Sequence, residues 1–130
     1  MKTLLPPGWP RPKGYSNGIS ARGRTIVTAG VVGWDEQEKF TSNTLPGQFE
    51  QVLKNIVAIL AEDGAAPEHL VRLTCYVTSI EAYLASLSEI GEAWQRVIGK
   101  HYPAMAMVEV ARLVEPQAMV EIEATAVVEE

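Results

Sequence analysis

Cysteine, histidine and long apolar runs are all scarce in this sequence. Its one cysteine, Cys75, cannot form a disulfide within the chain, and the apolar and β-branched residues around it predict that it packs in a buried strand. The two histidines, His69 and His101, lack acidic or sulfur neighbours at ligand spacing, so we expect no metal site. No apolar run approaches the roughly eighteen residues of a membrane span, and no standard export signal opens the chain. These absences predict a cytoplasmic protein that does not associate with membranes.

Basic charge and nucleotide-binding motifs are also lacking. The chain has 11 Lys and Arg residues against 16 Asp and Glu, a net charge of −5, and its basic residues are scattered along the sequence. Binding to nucleic acid by counterion release is therefore disfavoured. The sequence contains no glycine-rich dinucleotide fingerprint, P-loop, serine-hydrolase elbow or Cys-x-x-Cys pair. We expect neither a nucleic-acid partner nor a cofactor.

What the sequence does contain is enough apolar material for one folded domain. Hydrophobic residues make up 47% of the 130 positions, a proportion typical of globular chains, and we predict a single domain over residues 1–130. The first fourteen residues hold four prolines and two glycines, which favour an extended arm. We expect Trp9 to pin this arm to the body.

The hydrophobic periodicity then predicts an α+β fold. Apolar stripes at helical spacing occur over residues 49–60 and 83–98, and strand-type alternation or β-branched runs occur over residues 16–21, 25–32, 70–78, 105–110 and 119–128. A hairpin turn is predicted at Arg22-Gly23-Arg24, and a loop over residues 33–46. The order β-β-α-β-α-β-β predicts a mixed sheet with two helices on one face.

The other face of the predicted sheet remains partly apolar. We place four large side chains on it: Tyr76, Met105, Met107 and Met119. An uncovered apolar face of this kind indicates a partner subunit.

Three segments carry a resemblance to a known family. They are Tyr15-Ser16-Asn17-Gly18, Thr28-Ala29-Gly30, and residues 103–113 (PAMAMVEVARL) followed by residues 120–126 (VEIEATA). Together they resemble the RidA/YjgF family of reactive-intermediate deaminases over nearly the whole chain. The resemblance implies a chorismate-mutase-like fold, assembled as a homotrimer with small-molecule pockets in the clefts between subunits. It also implies hydrolysis of 2-imino or enamine acids to 2-keto acids and ammonia.

One departure from the family pattern affects the predicted chemistry. In active members the residue after Pro-Ala is an arginine that pairs with the substrate carboxylate, whereas this chain has Met105 and so resembles an arginine-less branch. A thioether cannot replace the two parallel charge-assisted hydrogen bonds of a guanidinium. The loss is worth about 3–5 kcal/mol, or roughly two to four decades of affinity. The cations available as substitutes are Arg22, Arg24, Arg72 and His101, each of which has an ordinary surface or structural role as its alternative.

Glu121 aligns with the pocket glutamate of the family and is the candidate catalytic residue. If Met105 and Met107 lie beside it, their apolar surroundings would make the carboxylate a better base for orienting an attacking water. The alternative is a solvated or salt-bridged carboxylate on a strand.

The candidate ligand-binding residues are Tyr15, Gly30, Trp34, Tyr83, Met105, Ala106 and Met107. Tyr15 either bonds a ligand at the cleft or caps a hairpin, and the two methionines either line a soft pocket or fill a subunit interface. Trp34, like Trp9, either walls the cleft or anchors a loop to the core.

Three hypotheses for function follow. The first is a trimer that binds a small imine, enamine or related amine, with any hydrolysis resting on Glu121 and water. The second is a binding or regulatory protein without chemistry, which the change to Met105 favours. The third, the ribonuclease or translation-inhibitor role of some relatives, is opposed by the acidic charge balance.

Overall fold

The computed structural model describes all 130 residues and contains seven strands and three helices. The strands are β1 (Lys2–Leu4), β2 (Gly18–Ser20), β3 (Arg24–Val27), β4 (Val31–Val32), β5 (Leu70–Val77), β6 (Ala104–Glu109) and β7 (Val120–Val128). The helices are α1 (Leu45–Ala61), α2 (Ile80–Ala85) and α3 (Leu87–Val97), with one 3-10 turn at Pro67–His69. None of the helices combines the length and apolarity needed to cross a membrane.

The main sheet has five strands and is mixed, as predicted. Its order is β3-β7-β5-β6, with β4 beside β7. Strands β5 and β6 run parallel, joined by the crossover through α2 and α3, while β7 is antiparallel to β3, β4 and β5. A parallel pair needs a long crossover, and the helices of this crossover pack on the same sheet face as α1. The α+β fold class is therefore confirmed.

The predicted opening hairpin is wrong. Strand β2 pairs with β1, and β3 pairs instead with β7 at the C-terminal end of the chain. Gly23 separates β2 from β3 with φ +146°, and a Cβ there would lie 2.8 Å from the carbonyl carbon of Val128. This turn is shaped by the close approach of the chain end, which local sequence does not reveal. Trp9 does not pin the arm within the chain, because 59% of it is exposed.

The core lies between the helices and one face of the sheet. Helix α1 begins after Thr44, whose hydroxyl accepts the N–H of Gly47 at 3.2 Å, and it buries the predicted stripe from Phe49 to Leu60. Cys75 is buried in β5, and this burial raises the pKa of its thiol to about 12. The interpretation of Cys75 as core packing is confirmed, because a thiol this buried is not a nucleophile at neutral pH.

The second predicted helix is two helices that meet at Ser86. Ser86 has φ −117° and ψ 16°, which is outside the helical region, and it ends α2 and begins α3. Helix α2 starts after Ser79, whose hydroxyl accepts the N–H of Ala82 at 3.0 Å. Trp94 of α3 is buried, as expected for core packing, and its indole N–H donates to the carbonyl of His101 at 3.1 Å.

The register corrects the predicted uncovered face of the sheet. Met105 pairs with Leu73, and Met107 pairs with Cys75, so both methionines project toward the helices and pack against the core. Met119 precedes β7 and also packs against the core. Only Tyr76 of the four predicted side chains lies on the uncovered side.

That side of the sheet, which we call the open face, carries residues from β3, β5, β6 and β7. They are Val27, Arg72, Thr74, Tyr76, Ala104, Ala106, Val108, Glu121, Glu123 and Thr125. Its two valines are among the more exposed large apolar residues, Val27 at 69% and Val108 at 42%. No element of this chain covers them.

A buried glutamine ties α1 to two loops. Gln48 is 1% exposed, and its amide nitrogen donates to the carbonyls of Ser42 at 3.1 Å and Gln117 at 3.0 Å. Its amide oxygen accepts the N–H of Met119 at 2.8 Å. The side chain thereby satisfies three backbone groups next to the start of β7.

Candidate functional site

The predicted site residues fall into two groups on opposite sides of the sheet. Glu121 and Ala106 lie on the open face, whereas Met105, Met107 and Tyr83 lie on the side of the helices. The expectation that Glu121 lies beside Met105 and Met107 is therefore wrong within one chain. Neighbouring residues of a strand point to opposite faces, so a carboxylate in register with Tyr76 cannot share a face with side chains in register with Leu73 and Cys75.

Glu121 is half-buried at the start of β7. It pairs with Tyr76 on one side and with Val32 on the other, and it takes part in no ion pair. Gly30 packs directly on its carboxyl group, since a Cβ at Gly30 would lie 2.8 Å from the Glu121 Cδ. The structure thus brings together two predicted site residues, and the absence of a side chain at position 30 leaves room for the carboxylate.

Tyr76 places a protonated phenol next to the two acidic side chains Glu121 and Glu123. Its hydroxyl donates to Glu123 Oε1 at 2.8 Å. This hydrogen bond is the main cause of a raised pKa of Tyr76, with smaller contributions from burial and from the negative charges of Glu123 and Glu121. The phenol therefore stays neutral at physiological pH and remains a hydrogen-bond donor beside two carboxylates.

An open cavity of about 310 Å³, which we call the apolar groove, lies on the helix side between α1, α2, α3 and the start of β6. Its walls are Lys13, Gly14, Phe49, Tyr83, Leu87, Ile90, Gly91, Trp94, Gln95, Tyr102 and Met105. Met105 and Tyr83 are thus brought together, as their assignment to one pocket requires. Desolvation raises the pKa of the half-buried Tyr83, so this wall residue is neutral at physiological pH.

Of the eleven wall residues only Tyr83 and Met105 were predicted to bind a ligand, and Tyr102 and Leu87 are among the nine that were not. Tyr102 stacks on Trp94 with ring centroids 6.3 Å apart and an interplanar angle of 10°, and its hydroxyl contacts the Gln95 amide nitrogen at 2.6 Å. Leu87 is half exposed at the start of α3. The position of Tyr102 next to Pro103, just before β6, is the sequence feature that could have indicated it. No sequence feature indicates Leu87, because it fits the apolar stripe of a helix.

Tyr15 lies apart from both groups. It is 42% exposed and lines a second cavity of about 540 Å³, bounded by residues 3–5, 11–12, 14–17 and 100–102, which we call the N-terminal cavity. This cavity adjoins the apolar groove, since Gly14 and Tyr102 belong to the walls of both. The structure places Tyr15 next to the groove, but away from Glu121.

Trp34 lines neither cavity. Its ring packs on Phe40 at 5.8 Å, and its carbonyl oxygen accepts a hydrogen bond from Asn55 Nδ2 at 2.7 Å. These contacts attach the loop before α1 to the helix, which fits the loop-anchoring interpretation of Trp34.

The four cations considered as substitutes for the family arginine do not line the apolar groove. Arg24 pairs with Asp63 and Glu130, and His101 contacts the Leu70 carbonyl through Nε2 at 2.7 Å. Arg72 points to the open face opposite Thr125. The only basic residue in the groove wall is Lys13. No group of three His, Cys, Asp or Glu side chains is arranged to hold a metal ion.

Comparisons with known proteins agree with this architecture. The family model described as Endoribonuclease L-PSP matches residues 10–128. A RutC family protein of Synechocystis is 32% identical over 130 residues, covering 98% of this chain and 96% of the relative. Reactive Intermediate Deaminase A of Arabidopsis thaliana is 34% identical over 113 residues, or 86% of this chain and 57% of that protein.

Solved structures show the same likeness over the whole chain. A protein of the conserved Rid family from Yersinia pestis has a TM-score of 0.84 with 30% identity, covering 98% of both chains. A Mycobacterium tuberculosis member of the YjgF/YER057c/UK114 family has a TM-score of 0.67 with 34% identity, over 89% of this chain and 88% of that one. On sequence, family model and fold alike, this chain belongs to the RidA/YjgF family.

Proposed function

We propose that this protein binds a small apolar imine, enamine or related amine in a cleft between two copies of the chain and hydrolyses the bound imine. The apolar groove of one copy supplies the binding surface. Glu121 on the open face of the next copy positions the attacking water. The Arabidopsis relative named as a reactive intermediate deaminase supports this class of reaction.

The observation that carries the proposal is the separation of the two halves of the site. Glu121 with Gly30 and Met105 with Tyr83 are on opposite sides of one sheet, so a single chain cannot present both to one ligand. The open face exposes Val27 and Val108 on its two edge strands, and a second copy packed there would bury them. A homotrimer closes such a contact in a ring and places each groove next to a neighbouring Glu121.

The groove chemistry favours an apolar ligand without a carboxylate next to the reacting carbon. Trp94, Tyr102 and Leu87 offer aromatic and aliphatic surface, and Met105 offers a polarisable thioether. No guanidinium lies at this position to pair with an acid group. An iminium cation is compatible with the open face, because Glu121 and Glu123 both lie there.

The reaction balances with water alone. Glu121 accepts a proton from a water molecule as the oxygen attacks the carbon of the protonated C=N bond, and a tetrahedral amino alcohol results. Return of that proton to nitrogen makes the amine a leaving group, and as the C–N bond breaks Glu121 accepts the hydroxyl proton, which leaves a neutral carbonyl and ammonia. Transfer of this last proton to ammonia gives ammonium and restores the carboxylate. Positioned proton transfer of this kind contributes about 10²–10⁴-fold to rate.

The test is hydrolysis of benzaldimine, an imine without a carboxylate, generated in place by a flavin-dependent amine oxidase from benzylamine. We expect the native protein to accelerate benzaldehyde and ammonia release, and Glu121→Gln to lose about a hundredfold or more of that acceleration. Glu123→Gln is the matched control, since it removes a carboxylate two residues away on the same face. No acceleration by native protein, or equal losses in both variants, would contradict the proposal.

A second candidate function, small-molecule binding without chemistry, is favoured by one specific observation. Met105 leaves the groove without the charged group that the family uses to orient its substrate. Binding of benzylamine to the native protein, with no acceleration of benzaldimine hydrolysis, is the outcome that would select it. A ribonuclease function finds no support on the open face, where carboxylates would repel a phosphate backbone.

The cleft also requires a defined assembly. We expect light scattering at micromolar concentration to give three times the 14.2 kDa of one chain, and Val108→Glu to shift the mass toward the monomer. Leu84→Glu on α2 is the control, because Leu84 is 58% exposed on a helix away from the open face. A monomeric native protein would remove the intersubunit cleft, and with it the proposed site.

A further inference from the structure

Three of the eleven basic residues, which look scattered in the sequence, lie around the two adjoining cavities. Arg11 and Lys100 line the N-terminal cavity, and Lys13 lines the apolar groove. None of the three takes part in an ion pair of the chain. None of the 16 acidic residues lines either cavity, although the protein carries a net charge of −5.

Uncharged polar groups add to this basic lining. The side chains of Thr3, Tyr15 and Asn17 also line the N-terminal cavity, and each presents a hydrogen-bond donor. The ring of His101 is held at the same wall by its contact with the Leu70 carbonyl. The cavity is thus lined by cations and neutral hydrogen-bond donors and by no carboxylate. A lining of this kind recognises an anion.

The walls of this cavity are held together by the fold. Ser16 is buried, its N–H donates to the Pro103 carbonyl at 3.0 Å, and its hydroxyl donates to the Tyr102 carbonyl. Gly14 makes the preceding turn with φ +82°, a left-handed conformation that favours glycine. The arm that carries Arg11 is thereby attached to the segment that carries Lys100, so both charges border one space.

We propose that the N-terminal cavity binds the carboxylate or phosphate group of an anionic small molecule whose apolar part lies in the adjoining groove. The shared wall residues, Gly14 and Tyr102, allow one ligand to contact both spaces. The inference rests on the proposed function for the apolar part of the ligand only. The acid group of the ligand is then remote from its reacting carbon. An arginine at position 105 would instead bind a carboxylate adjacent to that carbon.

The test compares three probes by isothermal titration calorimetry at low ionic strength. They are 4-phenylbutyrate, 4-phenylbutyl phosphate and the uncharged 4-phenylbutanol. We expect at least one anionic probe to bind about tenfold or more tightly than the alcohol, because charge-assisted hydrogen bonds are added to the same apolar contact. The preferred anion then distinguishes a carboxylate from a phosphate site.

The double variant Arg11→Gln/Lys100→Gln should remove this preference and leave alcohol binding unchanged, which also shows that the groove is folded. Arg22→Gln/Lys39→Gln is the matched control, because it removes the same two charges at exposed positions outside both cavities. Equal binding of the anions and the alcohol, or an equal loss of preference in both double variants, would overturn the inference. Benzaldimine hydrolysis by the native protein is a separate readout, so failure here is distinguishable from failure of the proposed function.

Discussion

Replacing Met105 with arginine is expected to raise kcat/KM for 2-iminobutyrate by about two orders of magnitude or more. Met105 lines the apolar groove, half-buried between Tyr83 and Tyr102. A guanidinium there would meet a substrate carboxylate with two parallel hydrogen bonds in a partly desolvated setting, which is worth about 3–5 kcal/mol. Ammonia release from 2-iminobutyrate, generated in place by an amino acid oxidase, measures the gain.

Two variants at the same position make this test specific. Met105→Lys introduces a charge without the planar fork, so a smaller gain is expected, and Met105→Gln introduces polarity without charge, so no gain is expected. High activity of the native protein on 2-iminobutyrate would contradict the argument, because it would mean that another cation already binds the carboxylate. Adding Glu121→Gln to Met105→Arg should abolish the gain if water is positioned from the open face.

Replacing Gln48 with leucine is expected to lower the free energy of unfolding by about 3 kcal/mol. The leucine fits the apolar surroundings, but it leaves the carbonyls of Ser42 and Gln117 and the N–H of Met119 without their partner. Each unsatisfied buried backbone group costs about 1–3 kcal/mol, and water reaching the loops recovers part of that cost. Urea unfolding followed by tryptophan fluorescence measures the change.

The matched control is Gln51→Leu on the same helix. Gln51 is half-buried and donates only to the Asn55 side chain one turn later, at 2.9 Å, so its loss should cost about 0.5 kcal/mol or less. Similar losses for the two variants would show that the three hydrogen bonds of Gln48 do not tie α1 to the loops. If Gln48→Glu lowers the free energy of unfolding as much as Gln48→Leu does, the amide donor is the decisive group.

Much of the fold could be predicted because most of its elements are amphipathic. The stripe on α1, the alternation in β5 and the alternation in β7 each have a period that only one structure satisfies, and most of the buried residues lie at the positions this period selects. Leu70 departs from it at the register shift that opens β5. The predicted hairpin failed because Gly23 is followed by a strand whose partner, β7, lies about a hundred residues along the chain. The break at Ser86 was missed because the apolar stripe continues across it.

The candidate site could be predicted only in part. The sequence named each candidate residue individually, and the structure brings Gly30 into contact with Glu121 and Tyr83 into one wall with Met105. The face of the sheet that each residue occupies could not be predicted. Which residues of β6 and β7 share a face depends on the register in which both strands pair with β5. A shift of one residue in that pairing reverses every side chain of a strand.

By itself, the sequence determined the fold class, the place of Cys75 and Trp94 in the core, and the thioether at position 105. These are properties of periodicity, composition and a single residue's chemistry, and they do not depend on distant partners. The tertiary structure alone decided that Glu121 and Met105 lie on opposite sides of the sheet, and that Arg11, Lys13 and Lys100 border adjoining cavities. Strand register and the path of the N-terminal arm arise from contacts between residues far apart in the chain, so no local pattern encodes them.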